Sequence, residues 1–179
     1  MKTLTRNEGD IKWNILWNNL TSEWFKVEVL QDYSGEDSSE PLTAWIAGDK
    51  EKSIKLIKSE VSAWADDCRA KVEKGITLTR IHIVDYPLSE YVQWEIEVYK
   101  KQNVALGREN VFLLDRKDIK NLKIPNGDFM IFDKSSVVVN TYDDSGYVVS
   151  QTFYDSGDDI SYFLDLRSEL LAAKLERIK

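Results

Sequence analysis

The sequence has one cysteine and one histidine in 179 residues, and it has no long apolar run. One cysteine excludes an internal disulfide framework. Cys68 lies at helical spacing from neighbouring apolar residues, so it is predicted to be a buried thiol. One histidine and one cysteine cannot build a Cys/His zinc site. No apolar stretch approaches the roughly 18–20 residues that cross a bilayer, and the first ten residues lack an apolar signal core. We therefore expect a cytoplasmic protein without membrane contact.

Basic residues are also scarce, with 24 Lys and Arg against 31 Asp and Glu and a net charge of −7. Nonspecific nucleic-acid binding requires clustered basic side chains, so no direct nucleic-acid partner is expected. The segment 135–166 contains no basic residue and carries six aspartates: Asp143, Asp144, Asp155, Asp158, Asp159 and Asp165. They are predicted to be turn and helix-start residues, and the alternative is a surface for a basic protein partner.

Sequence motifs for common catalytic chemistry are missing. There is no glycine-rich phosphate loop and no dinucleotide-binding fingerprint, and no nucleophile elbow accompanies the histidine. Among 31 acidic residues no pair can be singled out as a carboxylate site for Mg²⁺. The sequence therefore assigns no catalytic residue, no cofactor and no metal ligand.

Hydrophobic content of 42% and charged content of 31% are typical of a globular protein. The patterns predict one domain over residues 1–179. It comprises a helical N-terminal part (1–74), a core with a strand–helix–strand unit and a three-stranded meander (75–156), and a C-terminal helix (157–179). This element order predicts an α/β fold, a mixed sheet with flanking helices.

The central segment of the chain runs from a strand into a helix start. Residues 77–84 are largely β-branched and apolar on both faces, which indicates a central strand. Ser89 is a suitable N-cap for residues 91–99, whose pattern fits either a strand or a helix. We favour the helix because Pro87 and Ser89 mark a start and Gly107 marks an end.

This strand carries the first two candidate site residues. Arg80 and His82 are two positions apart and project from the same face. A buried arginine needs a carboxylate partner, for which Glu95 and Asp133 are the candidates. The alternative is an anion pocket at the carboxyl end of the strand, where α/β sheets place ligands.

Further residues extend the candidate site. Tyr91 and Glu95 are four apart and share a face of the predicted helix. Arg116 follows the predicted strand 110–114 and is a second candidate anion ligand, with a surface ion pair as the alternative. If Asp133 does not pair with Arg80, it is predicted to be a turn or cap residue. The candidate ligand-binding set is Arg80, His82, Tyr91, Glu95, Arg116 and Asp133.

Four stretches of sequence, in consistent order, resemble a known family: residues 25–33 (FKVEVLQDY), 77–94, 103–116 and 127–133 (GDFMIFD). It is an uncharacterised domain-of-unknown-function family that is abundant in actinomycetes and often encoded beside helix-turn-helix transcriptional regulators. The resemblance includes Glu28 and Tyr33, which are expected near the same end of the sheet. The chain departs from the family at Gly107-Arg-Glu-Asn, where an acidic pair usually follows the glycine. The resemblance implies a regulatory or interaction module that acts with such a regulator or another basic protein, and a homodimer remains open.

The same segments resemble one half of a phospholipase-D-like fold, here with an N-terminal helical extension. The catalytic signature of that superfamily is His-x-Lys-x-x-x-x-Asp. Aligned on His82, this chain has Val84 in place of the lysine and Ser89 in place of the aspartate. Three functions stay open: the regulatory module, a small-anion sensor that uses Arg80 and Arg116, and a degenerate phospholipase-D-like enzyme. A pocket lined by both arginines would support the sensor, and a salt-bridged Arg80 without a cavity would count against it.

Overall fold

Eight strands form one mixed sheet in the computed structural model, which describes residues 1–36 and 38–179. Asp37, in the predicted loop 33–41, and the side chain of Asp158 lie outside the described residues. The strands are β1 (Lys2–Thr5), β2 (Glu23–Glu28), β3 (Thr77–Val84), β4 (Asn110–Asp115), β5 (Phe129–Phe132), β6 (Ser136–Tyr142), β7 (Val148–Tyr154) and β8 (Glu176–Arg177). The α-helices are α1 (Arg6–Asn18), α2 (Glu40–Ile46), α3 (Lys50–Ser59), α4 (Ala63–Glu73), α5 (Glu90–Val98) and α6 (Gly157–Ala172).

The strand order in the sheet is β1-β7-β6-β5-β2-β3-β4-β8. Strands β2, β3 and β4 are parallel, and the remaining pairs are antiparallel. The prediction of an α/β fold with a mixed sheet is confirmed, as is the meander of β5, β6 and β7. Strand β3 lies inside the sheet between two parallel neighbours, which explains why its residues from Arg80 to Val84 are buried on both faces.

Both ends of the chain differ from the prediction because each adds a strand. The first 74 residues are not helical throughout, since β1 pairs with β7 at one edge. The alternating apolar and polar residues 24–30, which favour a strand, form most of β2 inside the sheet. The C-terminal helix ends at Ala172, and β8 pairs with β4 at the other edge. Strands of four and two residues are too short to show an alternating pattern, and they form because a long-range partner is present.

The ambiguous segment 91–99 is helical, as we favoured. Ser89 accepts a hydrogen bond from the backbone N–H of Val92 at 3.1 Å and caps α5. The helix continues as a π-helical turn (Tyr99–Leu106), and this turn ends at Gly107. A Cβ atom at Gly107 would lie 2.9 Å from the carbonyl oxygen of Asn103, so the close approach requires glycine here.

The two faces of the sheet are covered by different helices. Helix α6 packs on one face, against an apolar cluster that includes Phe25, Ile81, Ile83 and Phe129. Helices α1, α4 and α5 cover the other face, where four tryptophans contact one another: Trp13, Trp17, Trp24 and Trp64. No helix among the described residues is long and apolar enough to cross a membrane.

Candidate functional site

A row of charged side chains crosses the face of the sheet that α1, α4 and α5 cover. In the parallel pair of β2 and β3, Lys26 is in register with Arg80, and Glu28 with His82. Side chains two apart on a strand share a face, so these four groups lie together. The predicted common face of Arg80 and His82 is thereby confirmed, and β2 supplies two partners for them.

Arg80 lies between two buried carboxylates. It donates from Nη1 to Oε1 of Glu28 and from Nε to Oε2 of Glu109, the latter at 3.1 Å. Lys26 Nζ lies 2.7 Å from Glu28 Oε1. Burial alone would raise the pKa of Glu28, but Arg80 and Lys26 outweigh it and hold this pKa well below its usual range. Glu28 is therefore an ionised carboxylate held by two cations.

Glu109 joins this network to helix α4 and the π-helical turn. Its Oε1 accepts hydrogen bonds from Trp64 Nε1 at 2.9 Å and from Asn103 Nδ2 at 2.7 Å. The Cys68 thiol lies 3.5 Å from the same oxygen. Cys68 is fully buried, which confirms the prediction of a buried thiol. Burial and the adjacent Glu109 carboxylate raise the pKa of this thiol.

His82 is fully buried, and both of its ring nitrogens have partners. Nε2 lies 2.7 Å from the carbonyl oxygen of Leu30, which only accepts, so this nitrogen carries a proton. Nδ1 lies 3.1 Å from both Glu95 Oε2 and the Tyr99 hydroxyl. Burial lowers the pKa of His82, but the Glu95 carboxylate outweighs it and raises the pKa to about 9. His82 is therefore an imidazolium at neutral pH.

Tyr99 connects the arginine part of the network to the histidine part. Its hydroxyl donates to Glu28 Oε2 at 2.5 Å and faces His82 Nδ1. Burial, together with Glu28 and Glu95, raises the pKa of Tyr99 well above its usual value. The network contains three cations (Lys26, Arg80 and His82) and three carboxylates (Glu28, Glu95 and Glu109). Its charges balance, which is the condition under which buried ions are tolerated.

Asp128 forms a second buried polar centre beside Glu28. Its carboxylate accepts from the Tyr33 hydroxyl at 2.7 Å, the Tyr142 hydroxyl at 2.8 Å and the backbone N–H of Val29 at 2.9 Å. Burial raises the pKa of Asp128 despite the nearby Lys26. Glu28 and Tyr33, which the resemblance brought together, do lie at this end of the sheet.

The structure brings together only some of the predicted site residues. Glu95 contacts His82 and not Arg80, and Tyr91 packs against Tyr33 with ring centroids 5.8 Å apart. Asp133 is not a partner of Arg80. It lies at the opposite end of β5, where it accepts backbone hydrogen bonds from residues 21–23.

Arg116 also lies outside the network. It donates to Asp85 at 3.1 Å and to the carbonyl oxygen of Val29 at 2.7 Å, in a partly exposed position. The surface ion pair considered as its alternative is the arrangement observed. Four network residues are absent from the candidate set: Lys26, Glu28, Tyr99 and Glu109. Only Glu28 was expected near this end of the sheet, from the family resemblance. The polar alternation of β2 could have pointed to Lys26, but no local pattern marks Glu109.

An open cleft of about 340 Å³ borders the network between α1 and the sheet. Lys26 and Arg80 line it on one side, and tryptophans and Met130 provide its apolar surface. Arg6 and Gln151 line the cleft near β7, and Arg116 does not line it. Arg80 is thus salt-bridged, as expected of a structural residue, and it also borders a cavity.

Glu28, His82 and Glu95 offer ligand atoms within 4.8 Å of one another and could in principle hold a metal ion. However, Glu28 is already bound by Lys26, Arg80 and Tyr99. A divalent cation would have to displace these groups and take the proton from Nδ1 of His82. The network therefore fits an internal set of ion pairs better than a metal centre.

Comparison with known proteins identifies the family. Residues 12–176 match the family described as a domain of unknown function, DUF6879, and the chain belongs to it. No curated protein is significantly similar in sequence.

The fold is similar to that of TrmBL2, an archaeal chromatin protein whose structure shows a novel mode of DNA binding. The TM-score is 0.50, with 12% identity over 98% of this chain and 52% of TrmBL2. It is also similar to NucT from Helicobacter pylori, with a TM-score of 0.51 and 12% identity over 96% of this chain and 95% of NucT. The chain spans about half the length of TrmBL2, and at this identity the likeness shows the fold alone.

Proposed function

We propose that this DUF6879 chain is a ligand-sensing domain of a regulatory system, and that it binds a small anion in the cleft beside Lys26 and Arg80. One observation carries the proposal: two cations from adjacent strands line an open cleft and also neutralise the buried Glu28. A ligand bound at these cations would share them with Glu28. Binding would thus be linked to the charge balance of the buried network.

Lys26 is the residue best placed to contact a ligand. Its side chain is 20% exposed, against 8% for Arg80. An ammonium group has three N–H donors, and one of them faces Glu28. The remaining donors can serve an anion in the cleft without breaking the pair with Glu28.

The network connects the proposed ligand site to the π-helical turn and to α4. Glu28 contacts Tyr99 at the start of the π-helical turn, and Arg80 contacts Glu109, which holds Trp64 of α4. A change in the position of Lys26 or Arg80 would alter these contacts. Coupling of this kind is what a sensor requires, because a ligand must favour one arrangement of the protein over another.

Sensing is favoured over phospholipase-D-like catalysis by the state of His82. A covalent mechanism needs an accessible ring nitrogen with a free lone pair. His82 is fully buried, and both of its nitrogens are engaged. We propose that the sheet corresponds to one half of a phospholipase-D-like fold, as the sequence resemblance implies, but that it is used for binding.

We propose that contact with DNA in this system belongs to a partner, such as a helix-turn-helix regulator or another basic protein. The family that the sequence resembles is often encoded beside such regulators, which supports this choice of partner. TrmBL2 supports it as well, because this chain matches about half of a protein reported to bind DNA. The net charge of −7 also favours a basic protein partner over nucleic acid itself.

Thermal unfolding in the presence of single anions tests the proposal. We expect phosphate, sulfate, citrate or benzoate to raise the Tm of the wild-type protein, because a ligand at 100 times its Kd stabilises by about 2.7 kcal/mol. Lys26→Met should lose this shift relative to its own baseline. Arg116→Met, which removes an arginine outside the cleft, should keep it. The proposal fails if no anion shifts the wild-type Tm, or if Lys26→Met responds as the wild type does.

A further inference from the structure

We infer that an open groove between α3 and the π-helical turn, the α3 groove, is a docking site for an acidic segment of a partner protein that carries apolar anchor residues. The groove shares no lining residue with the cleft beside Lys26, so this inference goes beyond the proposed function and does not depend on it. Three features support it: an apolar lining, a rim of lysines, and a wall built from an uncommon helical turn.

The α3 groove is small and largely apolar. It has a volume of about 240 Å³ and is lined by Ile54 and Ile57 of α3 and by Ala105 of the π-helical turn. Sites for small molecules usually measure roughly 300–1,000 Å³, so the groove is small for such a ligand. It suits apolar side chains that project from a peptide, which is how anchor residues of a docked segment bind.

Lysines surround this apolar lining. Lys58 of α3, together with Lys100 and Lys101 of the π-helical turn, borders the groove beside a single carboxylate, Glu97. Glu97 pairs with Lys100 at 2.6 Å. Within the part of the chain that the structure describes, Lys58 and Lys101 take part in no ion pair. Their ammonium groups can therefore bind carboxylates of a partner, and their aliphatic stems extend the apolar surface.

The charge of this region is opposite to that of the chain as a whole. Helix α3 has four lysines and one glutamate, whereas the net charge of the chain is −7. Lysines on an exposed helix face are common, but here they flank an apolar groove. An acidic segment is repelled by most of the surface and attracted to this groove, so complementary charge favours docking at this one place.

The wall of the groove opposite α3 is the π-helical turn. Such turns are rare and occur frequently at functional sites. Their hydrogen bonds span five residues instead of four, so that residues four and five apart lie on the same side. Lys100 and Lys101 therefore both flank Ala105, and all three line the groove. In an α-helix, residues five apart do not share a face, and Lys100 would be directed away.

A hydrogen bond holds the two walls at a fixed spacing. Gln102 of the π-helical turn donates from Nε2 to the backbone carbonyl oxygen of Ile57 at 3.3 Å, and Gln102 is buried. The groove is therefore preformed, which reduces the ordering cost of docking a partner segment.

Other anionic partners fit the groove less well. Single-stranded nucleic acid binds by stacking its bases on aromatic rings, and none of the described residues that line the groove is aromatic. An anionic membrane is bound by apolar side chains that protrude, whereas Ile57 is buried at the base of the groove. A recessed apolar lining with a rim of cations favours a peptide with carboxylates and apolar anchors.

Selection from a random library of short peptides displayed on phage, with the full chain as bait, tests the docking site. We expect the enriched peptides to be rich in Asp and Glu and to carry Leu, Ile, Phe or Met between them. A fluorescent synthetic copy of the most enriched peptide then gives its Kd by fluorescence anisotropy. Alanine in place of its apolar residues should weaken binding at least about ten-fold.

Charge reversal distinguishes the groove from the net charge of the chain. Lys58→Glu should weaken binding of the peptide at least about ten-fold, because it reverses a rim charge that faces the acidic segment. Lys120→Glu is the matched control, since it changes the net charge equally at an exposed lysine that does not line the groove. It should change the Kd less than about two-fold. Both variants should keep the wild-type Tm, because both lysines are exposed.

Four results would overturn the inference. The first is that no peptide is enriched, or that the enriched peptides are basic or lack apolar residues. The second is that Lys58→Glu and Lys120→Glu bind the peptide equally well. The third is that a DNA duplex or phosphatidylserine vesicles bind in place of acidic peptides and are lost in Lys58→Glu. The fourth is self-association of the wild type in analytical ultracentrifugation that Lys58→Glu abolishes, which would assign the groove to a second copy. None of these results decides whether an anion binds beside Lys26, which the Tm shifts test separately.

Discussion

The two faces of the sheet are built from the same strands but bury opposite kinds of side chain. Below α6, β2 and β3 present Phe25, Val27, Ile81 and Ile83 to an apolar cluster. On the other face, the alternate positions of the same strands hold a balanced set of ions, and that face alone borders the cleft of about 340 Å³. The apolar face stabilises the fold through the area it removes from water.

The charged face is not explained by stability alone. Replacing a buried ion pair by apolar residues of similar volume is often neutral or stabilising. In this chain the ions lie where two of the cations reach a cleft, whereas the charged groups on the α6 side are a partly buried pair at the start of β2, Glu23 with Arg167 of α6. The difference supports our proposal that α6 and its face hold the fold together, while a ligand binds at the cleft beside the ions.

The largest expected effect comes from removing the cation shared by two carboxylates. Arg80→Met leaves Glu109 without its arginine and Glu28 with Lys26 as its only ion-pair partner, and it should lower the free energy of unfolding by about 3–5 kcal/mol. Chemical denaturation measures the loss. Arg108→Met, which removes an exposed partner of Glu73, is the control and should cost less than about 1 kcal/mol. A loss at Arg80 as small as that of the control would show that the network is not internally balanced.

The second expected effect is a dependence of stability on pH that arises from His82. Its pKa is raised from 6.5 to about 9, so the folded protein keeps a proton that the unfolded chain releases. The stabilisation of the folded protein by this proton is fully present below pH 6.5 and is lost as the pH rises through 9. Its upper limit is on the order of 3 kcal/mol.

Denaturation of wild type and His82→Gln at pH 6, 7.5 and 9 checks this prediction. The difference between the two proteins isolates His82 from Cys68 and the buried tyrosines, which begin to ionise near the upper end of this range only in the unfolded chain and do so in both proteins. The stability of the wild type should fall more steeply toward pH 9 than that of the variant. Parallel pH profiles would mean that His82 is neutral in the folded protein.

The smallest expected effect lies on the apolar face. Ile83→Val removes one methylene from a fully buried position and should cost about 0.5–1.5 kcal/mol. The loss should be the same from pH 6 to 9, because no charge is involved. Ile15→Val on the exposed side of α1 is the matched control and should cost almost nothing. A loss at Ile83 that depends on pH would contradict the separation of the two faces.

Local patterns predicted the elements on which the site is built. The β-branched run 77–84 identified β3, its alternation placed Arg80 and His82 on one face, and Ser89 identified the start of α5. The partners of Arg80 could not be identified in this way. Glu28 and Glu109 are 52 and 29 residues away from it in sequence, and 31 acidic residues offer many equivalent choices. Asp133 is one such choice as a partner of Arg80, but the antiparallel pairing of β5 with β2 places it at the opposite end of the strand.

The sequence by itself determined the α/β class, the central strand, the helix that follows it, and the burial of Cys68. These depend on periodicity, caps and side-chain volume, which act over a few residues. The tertiary structure decided which carboxylates neutralise Arg80 and His82, whether the short strands β1 and β8 form, and that Lys26 reaches a cleft walled by tryptophans. These features depend on the register of strands far apart in the chain, because one step of register moves a side chain to the other face of the sheet.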